Sequence, residues 1–485
     1  RRLCLRQTNT TWEELNMQKR TKIVATLGPA SSSPEIVGKL IEAGVNIFRL
    51  NFSHGSHDSH RQLVETVRGE AKRLGKHIGL LGDLCGPKIR IGTFPDGSVT
   101  LKAGQKFTLS QNPDLPGSET GIGTSYPYLV NDLNPGDTVL LDDGNLTLLV
   151  ESKGADAVTC TVMNGGVLKT KKGMNMPGAK LSVETITAKD REDLAFMIAQ
   201  ELDFVALSFV RRGEDLRELR KLIGSSPIRV VSKIEKPEAI DDLEAILAET
   251  DAVMIARGDL GVEMPIEKVP AIQKHIITRC TRRGIEVITA TQMLESMMSN
   301  PRPTRAETTD VFNAVMDGTD AIMLSGETAA GAYPVEAVRT MAAIAAEAER
   351  LSRNTTEALL PEVKHDIEDI IAHAACESAV DIGATAIVPF THSGNTARNV
   401  SKYHPSVPIY ALTPKPETCR RLSLSWGVSS ILIEDLRDTD AMIVCAETTV
   451  RDRGLAKPGD TIVIVAGVPL GVKGNTNMIK VHRIR

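Results

Sequence analysis

The sequence predicts an α/β protein: a (β/α)8 (TIM) barrel, interrupted by an inserted all-β lid domain and followed by a C-terminal α/β open-sheet domain. Three observations carry this. Short runs rich in Val, Ile and Leu recur eight times, each ending in polar residues, as "TKIVATLG", "NIFRLNFS", "HIGLLGDL", "DFVALSFV", "IRVVSKIE", "AVMIARGD", "EVITATQM" and "AIMLSGET". Amphipathic stretches at helical spacing lie between most of them. After the third run the pattern changes character for almost a hundred residues.

Continuously apolar strands alternating with helices mark a parallel sheet covered on its outer face, and eight such units close a barrel. The helical stretches include "SSPEIVGKLIEAG", with Ile36, Val37, Leu40 and Ile41 on one face, and "GEDLRELRKLIG", with Leu216, Leu219 and Leu222. From Lys88 to Leu181 the segments "SVTLKAGQKFTLS", "DTVLLDDGNLTLLVES" and "DAVTCTVMNGG" alternate with Gly, Asp and Pro turns and contain no helical pattern. The reading is therefore a barrel over residues 20–87 and 182–350, a β-barrel lid over 88–181, and a regulatory α/β domain over 351–485. Without the lid the barrel spans about 235 residues, near the ~250 typical of the fold. In the last domain, strands "AIVPF", "PIYALT", "SSILIE" and "TIVIVAG" alternate with helices. Residues 1–19 show no periodicity and read as an arm.

Composition narrows the function. The chain has 485 residues, 41% hydrophobic and 24% charged, and a formal net charge of −4 with no long basic run, which points away from nucleic acid and anionic membranes. No apolar stretch approaches the ~20 residues of a spanning helix and no signal-peptide core opens the chain, so a cytoplasmic location is expected. The seven cysteines, Cys4, Cys85, Cys160, Cys280, Cys376, Cys419 and Cys445, lack a C-x-x-C and read as reduced thiols.

In a parallel barrel all strands open their C-terminal ends on one face, so the polar endings converge there. They are Arg49, Asn51, Ser53 and His54; Asp83; Ser208; Lys233 and Glu235; Arg257 and Asp259; Thr291 and Gln292; Ser325 and Glu327. Lys233 and Glu235, two residues apart, point to the same side. Glu235 and Asp259, on successive strands, suit a hard divalent ion that keeps other positions for water and substrate oxygens, Mg²⁺ or Mn²⁺. A lysine among such oxygens neutralises a transferring phosphoryl group or an enolate, and Arg49 offers a fork for carboxylate or phosphate. Histidine is nearly absent from this set, and His54, just before Gly55 at a strand end, reads as a structural residue rather than a proton-transfer group. GxxxxGK[ST], the kinase Gly-rich loop and GxGxxG are all missing, so a nucleotide is held by other means.

At these residues the chain resembles the pyruvate kinase family, its bacterial members above all, from Lys22 to the C-terminus. "TKIVATLGP", "FRLNFSHG", "GDLCGPKIR", "KKGMNMPG", "VVSKIEKPEAI", "MIARGDLGVE", "ITATQMLESM", "PTRAE" and "MLSGETAAGAYPVEAV" match in order and spacing. The resemblance implies transfer of the phosphoryl group of phosphoenolpyruvate to ADP, giving ATP and pyruvate. It implies a divalent ion on Glu235 and Asp259, Lys233 on the phosphoryl group in flight, and Arg49 on the phosphate. Gly258, Asp259 and Thr291 would contact the substrate carboxylate, and Thr291 with Ser325 would lie on the path that protonates the enolate. Nucleotide contacts map to Asn51, Phe52, Ser53, His54, Arg90 and Lys172. A phosphorylated effector, a sugar monophosphate or AMP, maps to Thr391, His392, Ser393, Gly394, Asn395 and Thr396, where capping alone is the competing explanation. A homotetramer is the family's usual assembly.

One departure concerns the monovalent cation. The chain keeps Asn51, Ser53 and Asp83 but has Leu84, Cys85 and Lys88 where K⁺-activated members have Thr, Lys and Glu, and Ile91 in place of a Thr. The expectation is that the Lys88 ammonium, partnered by Asp83, stands in for K⁺, so that K⁺ is not required. Two other functions compete: a metal-dependent lyase or aldolase acting through a pyruvate enolate, which Glu235, Asp259 and Arg49 would also serve, and a non-catalytic sensor using only the C-terminal domain, against which Lys233, Glu235, Asp259 and Thr291 speak.

Overall fold

The computed structural model describes residues 19–352, 366–436, 438–469 and 475–485, so the expected arm, Lys19 excepted, and Cys4 lie outside the described residues. The eight apolar runs become the strands Lys22–Thr26, Ile47–Asn51, Gly79–Asp83, Phe204–Leu207, Arg229–Ile234, Ala252–Ala256, Glu286–Ala290 and Ala321–Leu324, which close into a barrel in sequential order. Every pairing is parallel, including the one between the first and eighth strands that closes the ring.

Alternation along each strand separates two layers. Val24, Ile47, Leu81, Phe204, Val231, Met254, Ile288 and Met323 fill the barrel, while Ile23, Phe48, Leu80, Val230, Ile255 and Ile322 belong to the layer packed under the helices. The fifth strand shows the logic in three residues. Arg229, Val231 and Lys233 share its inner face, which puts a cation at each end of the barrel and an apolar residue between. On the helix Gly213–Ile223, Leu216, Leu219 and Ile223 are buried, whereas Leu222, expected on the inner face, is exposed, because the helical period selects Ile223 after Leu219.

The insert has its own core, with Phe107, Leu148, Val158 and Cys160 fully buried. A six-stranded sheet runs in the order Met174–Asn175, Thr138–Leu141, Leu146–Lys153, Ala157–Val162, Lys106–Ser110, Gly121–Gly123, beside a ribbon of Ser98–Leu101 with Gly166–Lys169. Arg90 and Ile91 bridge Gly173 at one edge and Thr124 at the other, so a single short segment spans the opening of the curled sheet. One short helix, Leu129–Asp132, interrupts the strands; the sequence pattern gave no sign of it because four residues cannot display a helical period.

In the C-terminal domain Val428–Leu432, Ile409–Thr413, Ala386–Pro389 and Thr461–Gly467 form a parallel sheet in that order. A fifth strand, Thr476–Arg483, joins antiparallel to Thr461–Gly467 at the edge and was not anticipated; apart from Thr476 its residues are half-buried or exposed, and most of them are polar. This domain plugs the barrel's N-terminal end. Leu424 sits in the apolar cluster inside the barrel, and a Cβ on Gly79 would lie 2.4 Å from Ser423 Oγ, so the approach requires glycine. The described cysteines are all unpaired, and no helix among the described residues is long and apolar enough to cross a membrane.

Candidate active site

At the open end of the barrel the second, third and fifth strands deliver three charged side chains into one cluster. Asp83 is almost completely buried and divides its carboxylate: Oδ2 takes Arg49 Nε at 2.6 Å and Oδ1 lies 3.2 Å from Lys233 Nζ. Lys233 also donates to Ser208 Oγ at 2.6 Å and pairs with Glu235 Oε1 at 2.9 Å. Glu235 Oε2 accepts the Phe209 N–H at 2.8 Å.

Burial and charge compete at each member. Burial alone would lower the Lys233 pKa, yet Asp83 and then Glu235 raise it, so the ammonium stays charged. Burial pushes Asp83 up, but Lys233 and then Arg49 carry it below the usual carboxylate range. At Glu235 burial wins with help from Asp259, and its pKa is raised against the opposing pull of Lys233. A buried carboxylate held in this state gains from a further cation. Among the described residues no group of three or more His, Cys, Asp or Glu is placed to hold a metal, but the hard oxygens of Glu235 and Asp259 fit a divalent ion that completes its shell with water and substrate.

Arg49 reaches a second partner, Thr26 Oγ1, at 3.1 Å. Thr26 was missed in the sequence. It ends the first strand as the other polar residues end theirs, but a single threonine before "LGP" carries no charge to draw notice.

On the far side of the mouth, the Gly258 N–H donates to Thr291 Oγ1 at 2.7 Å and the Thr291 hydroxyl donates to the Ala290 carbonyl at 2.7 Å. Thr291 (φ 66°) and Gln292 (φ 53°) are both left-handed, a conformation that a β-branched residue adopts only when its surroundings impose it. Arg257 imposes it. Its guanidinium donates to the carbonyls of Ala290 and Thr291 and pairs with Asp310 at 2.7 Å. Arg257, collected as a mouth cation, is thus directed to the backbone behind Thr291. Glu327, also collected there, is fully buried and accepts the N–H groups of Leu294 and Ser325, so it shapes the turn at Ser325 rather than facing substrate.

The expected Lys88–Asp83 pair is not formed. Asp83 faces Arg49 and Lys233, and the Leu84 carbonyl accepts the Ser208 hydroxyl at 2.7 Å. Lys88 instead lines a cleft between lid and barrel together with Pro87, Met174, Phe209, Lys236 and Asp259. The peptide turns at Gly86 (φ 64°) between the two residues, which carries Lys88 away from the strand that ends in Asp83.

Asn51, Phe52, Ser53 and His54 form a tight turn beyond the second strand, in which Asn51 Oδ1 accepts the Ser53 N–H and the Phe52 N–H donates to the Asp83 carbonyl. Arg90 and Lys172 come together in the lid, where the Ile91 N–H donates to the Lys172 carbonyl; Arg90 donates to the Lys171 carbonyl and Lys172 pairs with Asp142 at 2.6 Å. In the C-terminal domain Thr391, His392, Ser393, Asn395 and Thr396 line an open cleft together with Glu368, Glu434 and Asp435, the last 3.7 Å from His392 Nε2. Gly394 (φ 91°) donates its N–H to Thr391 Oγ1, so that hydroxyl is already engaged within the turn.

Comparison with known proteins agrees with this geometry. The family model described as pyruvate kinase, barrel domain, matches residues 18–338, and that described as pyruvate kinase, alpha/beta domain, matches residues 369–482. The pyruvate kinase of Geobacillus stearothermophilus is 47% identical over 476 residues, covering 96% of this chain and 81% of the relative. That of Staphylococcus epidermidis is 46% identical over 476 residues, covering 96% and 80%. Among solved structures, a pyruvate kinase from Cryptosporidium parvum superposes with a TM-score of 0.89 at 37% identity, covering 98% of each chain.

Proposed function

The chain belongs to the pyruvate kinase family and is a phosphotransferase of phosphoenolpyruvate and ADP; from that premise we propose how its own residues divide the work. Arg49 and Lys233 grip the phosphoryl group, and Lys233 stays on it through transfer, where an ammonium that is buried and kept charged is worth most. Asp83 holds both cations in place from behind. Glu235 and Asp259 hold Mg²⁺ or Mn²⁺, which supplies positive charge to the reacting oxygens. Gly258, Asp259 and Thr291 receive the substrate carboxylate, and the Thr291 hydroxyl, with Ser325, lies on the proton path to the enolate carbon. Asn51, Phe52, Ser53 and His54 meet the nucleotide from the barrel, and Arg90 and Lys172 from the lid, which excludes water as it closes. The domains that do this are residues 20–87 with 182–350, 88–181 and 351–485, and the substrates place the enzyme in the cytoplasm.

The observation that carries the reading is Lys233, buried at the barrel mouth and kept cationic by two carboxylates. The test is pyruvate formation from phosphoenolpyruvate and ADP with Mg²⁺, which Lys233→Met should lower by about 10³-fold or more. The lyase and sensor readings fall with family membership.

K⁺ independence is part of the same proposal in a corrected form. Lys88 supplies a fixed positive charge to the cleft beside Asp259, while Asp83 and the Leu84 carbonyl are already engaged. Equal rates in K⁺-free buffer and in KCl, at constant ionic strength set with a bulky cation, are expected; activity only with KCl overturns this part alone.

The C-terminal cleft is proposed to bind a phosphorylated effector. Its described lining holds three carboxylates and no lysine or arginine, which favours one phosphate over two and suits a sugar monophosphate or AMP, with hydroxyls turned to Glu434 and Asp435. Exposed Ile367, Ile370 and Val444 on this domain support assembly into a homotetramer.

A further inference from the structure

Behind the Asn51–His54 turn lies a second polar cluster that the proposed chemistry leaves unused. The turn engages its N–H groups locally, at Asn51 and at the Asp83 carbonyl, and passes Gly55 in a left-handed conformation (φ 80°), where a Cβ would lie 2.9 Å from Ser59 Oγ and 3.4 Å from His60 Nε2. Its carbonyls are instead held from two helices. From Ala188–Ala199, the first helix after the lid, Lys189 Nζ donates to the Phe52 carbonyl at 2.7 Å. From His57–Arg73, His60 Nε2 donates to the His54 carbonyl at 2.9 Å.

The two holding groups are themselves fixed. Asp193 is buried and takes Lys189 on one oxygen at 2.5 Å and His57 Nε2 on the other at 2.8 Å. The His60 ring stacks on Phe52 with centroids 4.2 Å apart, and His57 stacks on Phe196 at 4.5 Å. Because a carbonyl only accepts, His60 carries its proton on Nε2, and its buried Nδ1 has no partner. A buried ring nitrogen left unsatisfied is a cost, and the fold accepts it to keep the other nitrogen on the His54 carbonyl. The same helical turn supplies Asp190, whose carboxylate accepts the Gly86 N–H at the other lid junction, so one turn of helix touches both the barrel loop and the hinge.

We infer that Lys189 and His60, fixed by Asp193 and by stacking on Phe52, are positioning residues that set the carbonyls of Phe52 and His54 and thereby preorganise this turn for the nucleoside diphosphate. The inference rests on the reading that Asn51, Phe52, Ser53 and His54 meet the nucleotide. A brace of this kind, which acts on carbonyls beyond Asn51, bears on nucleotide binding more than on the phosphoenolpyruvate subsite, which shares only Arg49 with the second strand and takes Lys233, Gly258, Asp259 and Thr291 from elsewhere in the barrel.

The experiment is steady-state kinetics of the full chain with Mg²⁺, varying ADP at saturating phosphoenolpyruvate and the reverse, for Lys189→Met, Lys189→Arg, His60→Gln and Ser53→Ala. Lys189 is half-exposed, so its variants keep the core intact. The expected result for Lys189→Met is a KM for ADP raised roughly three- to tenfold, the range of one lost hydrogen bond, with KM for phosphoenolpyruvate unmoved. Lys189→Arg and His60→Gln, which still offer donors to the same carbonyls, should stay within about twofold of the parent on the same scale. If Ser53→Ala raises KM for ADP while Lys189→Met does not, the brace is wrong and the nucleotide turn stands. If Ser53→Ala also leaves it unchanged, the nucleotide reading of the turn fails and takes the brace with it. Equal rises in both KM values for Lys189→Met would mark general damage and equally overturn the inference.

Discussion

The two ends of the barrel carry buried charge to different purposes, and the fifth strand shows both. At its start Arg229 pairs with Glu286, which also accepts the Ser425 hydroxyl from the C-terminal domain. Nearby, Asp203 takes Arg420 of that domain at 2.9 Å, and Glu349 accepts the N–H groups of Arg20 and Thr21. These charges are saturated by protein and capped by Leu424. At its end, four residues on, Lys233 is equally buried but lies at the mouth, where Asp83 and Glu235 hold it charged and Glu235 itself is left favouring more positive charge. Similar residue types thus glue domains at one end and stand at an open mouth at the other. Whether another domain closes over them makes the difference.

The most direct way to break the comparison is to remove a cation at each end. Lys233→Met should lower the rate of pyruvate formation by about 10³-fold or more, the scale of losing a charge aimed at the transition state, with the fold retained by circular dichroism. Asp259→Asn should lower it by about 10²-fold and raise the Mg²⁺ concentration needed for half-maximal rate, read by metal titration of the activity. Arg229→Met, in contrast, should destabilise the protein by about 3 kcal/mol in denaturant unfolding, because it leaves Glu286 buried and under-compensated, while kcat changes little. A rate loss as large as that of Lys233→Met would erase the distinction between the ends.

The smallest effect is in pH. The folded Asp83 pKa is depressed, so its contribution to stability is present above the unfolded value and lost as pH falls through the folded one. The stability gap between the parent and Asp83→Asn should therefore be full at neutral pH and shrink below about pH 4, as acid unfolding curves would show.

Much of this was written in the chain. Eight apolar runs ending in polar residues carry the barrel, because a strand covered by helices must be apolar throughout and a shared mouth collects whatever each strand ends on. Lys233, Glu235 and Asp259 stood out for the same reason: charge at the end of an apolar run has few structural excuses. Other features were not legible. Thr476–Arg483 is an edge strand with little to bury, so its pattern is weak, and Thr26 is an ordinary residue until Arg49 reaches it. Arg257 and Glu327 looked like mouth residues, and only the packed loops direct one to the backbone behind Thr291 and bury the other.

Asp83 divides the two levels most clearly. By itself the sequence determined that the third strand ends on a carboxylate and that cations must meet it, since a buried charge needs partners. Which cations was decided by tertiary structure. Lys88 is five residues away along the chain but is carried off by the turn at Gly86, whereas Arg49 and Lys233 arrive from the second and fifth strands. Sequence separation fixes the reach of a chain only locally; the barrel's closure sets which distant side chains share its few ångströms of mouth.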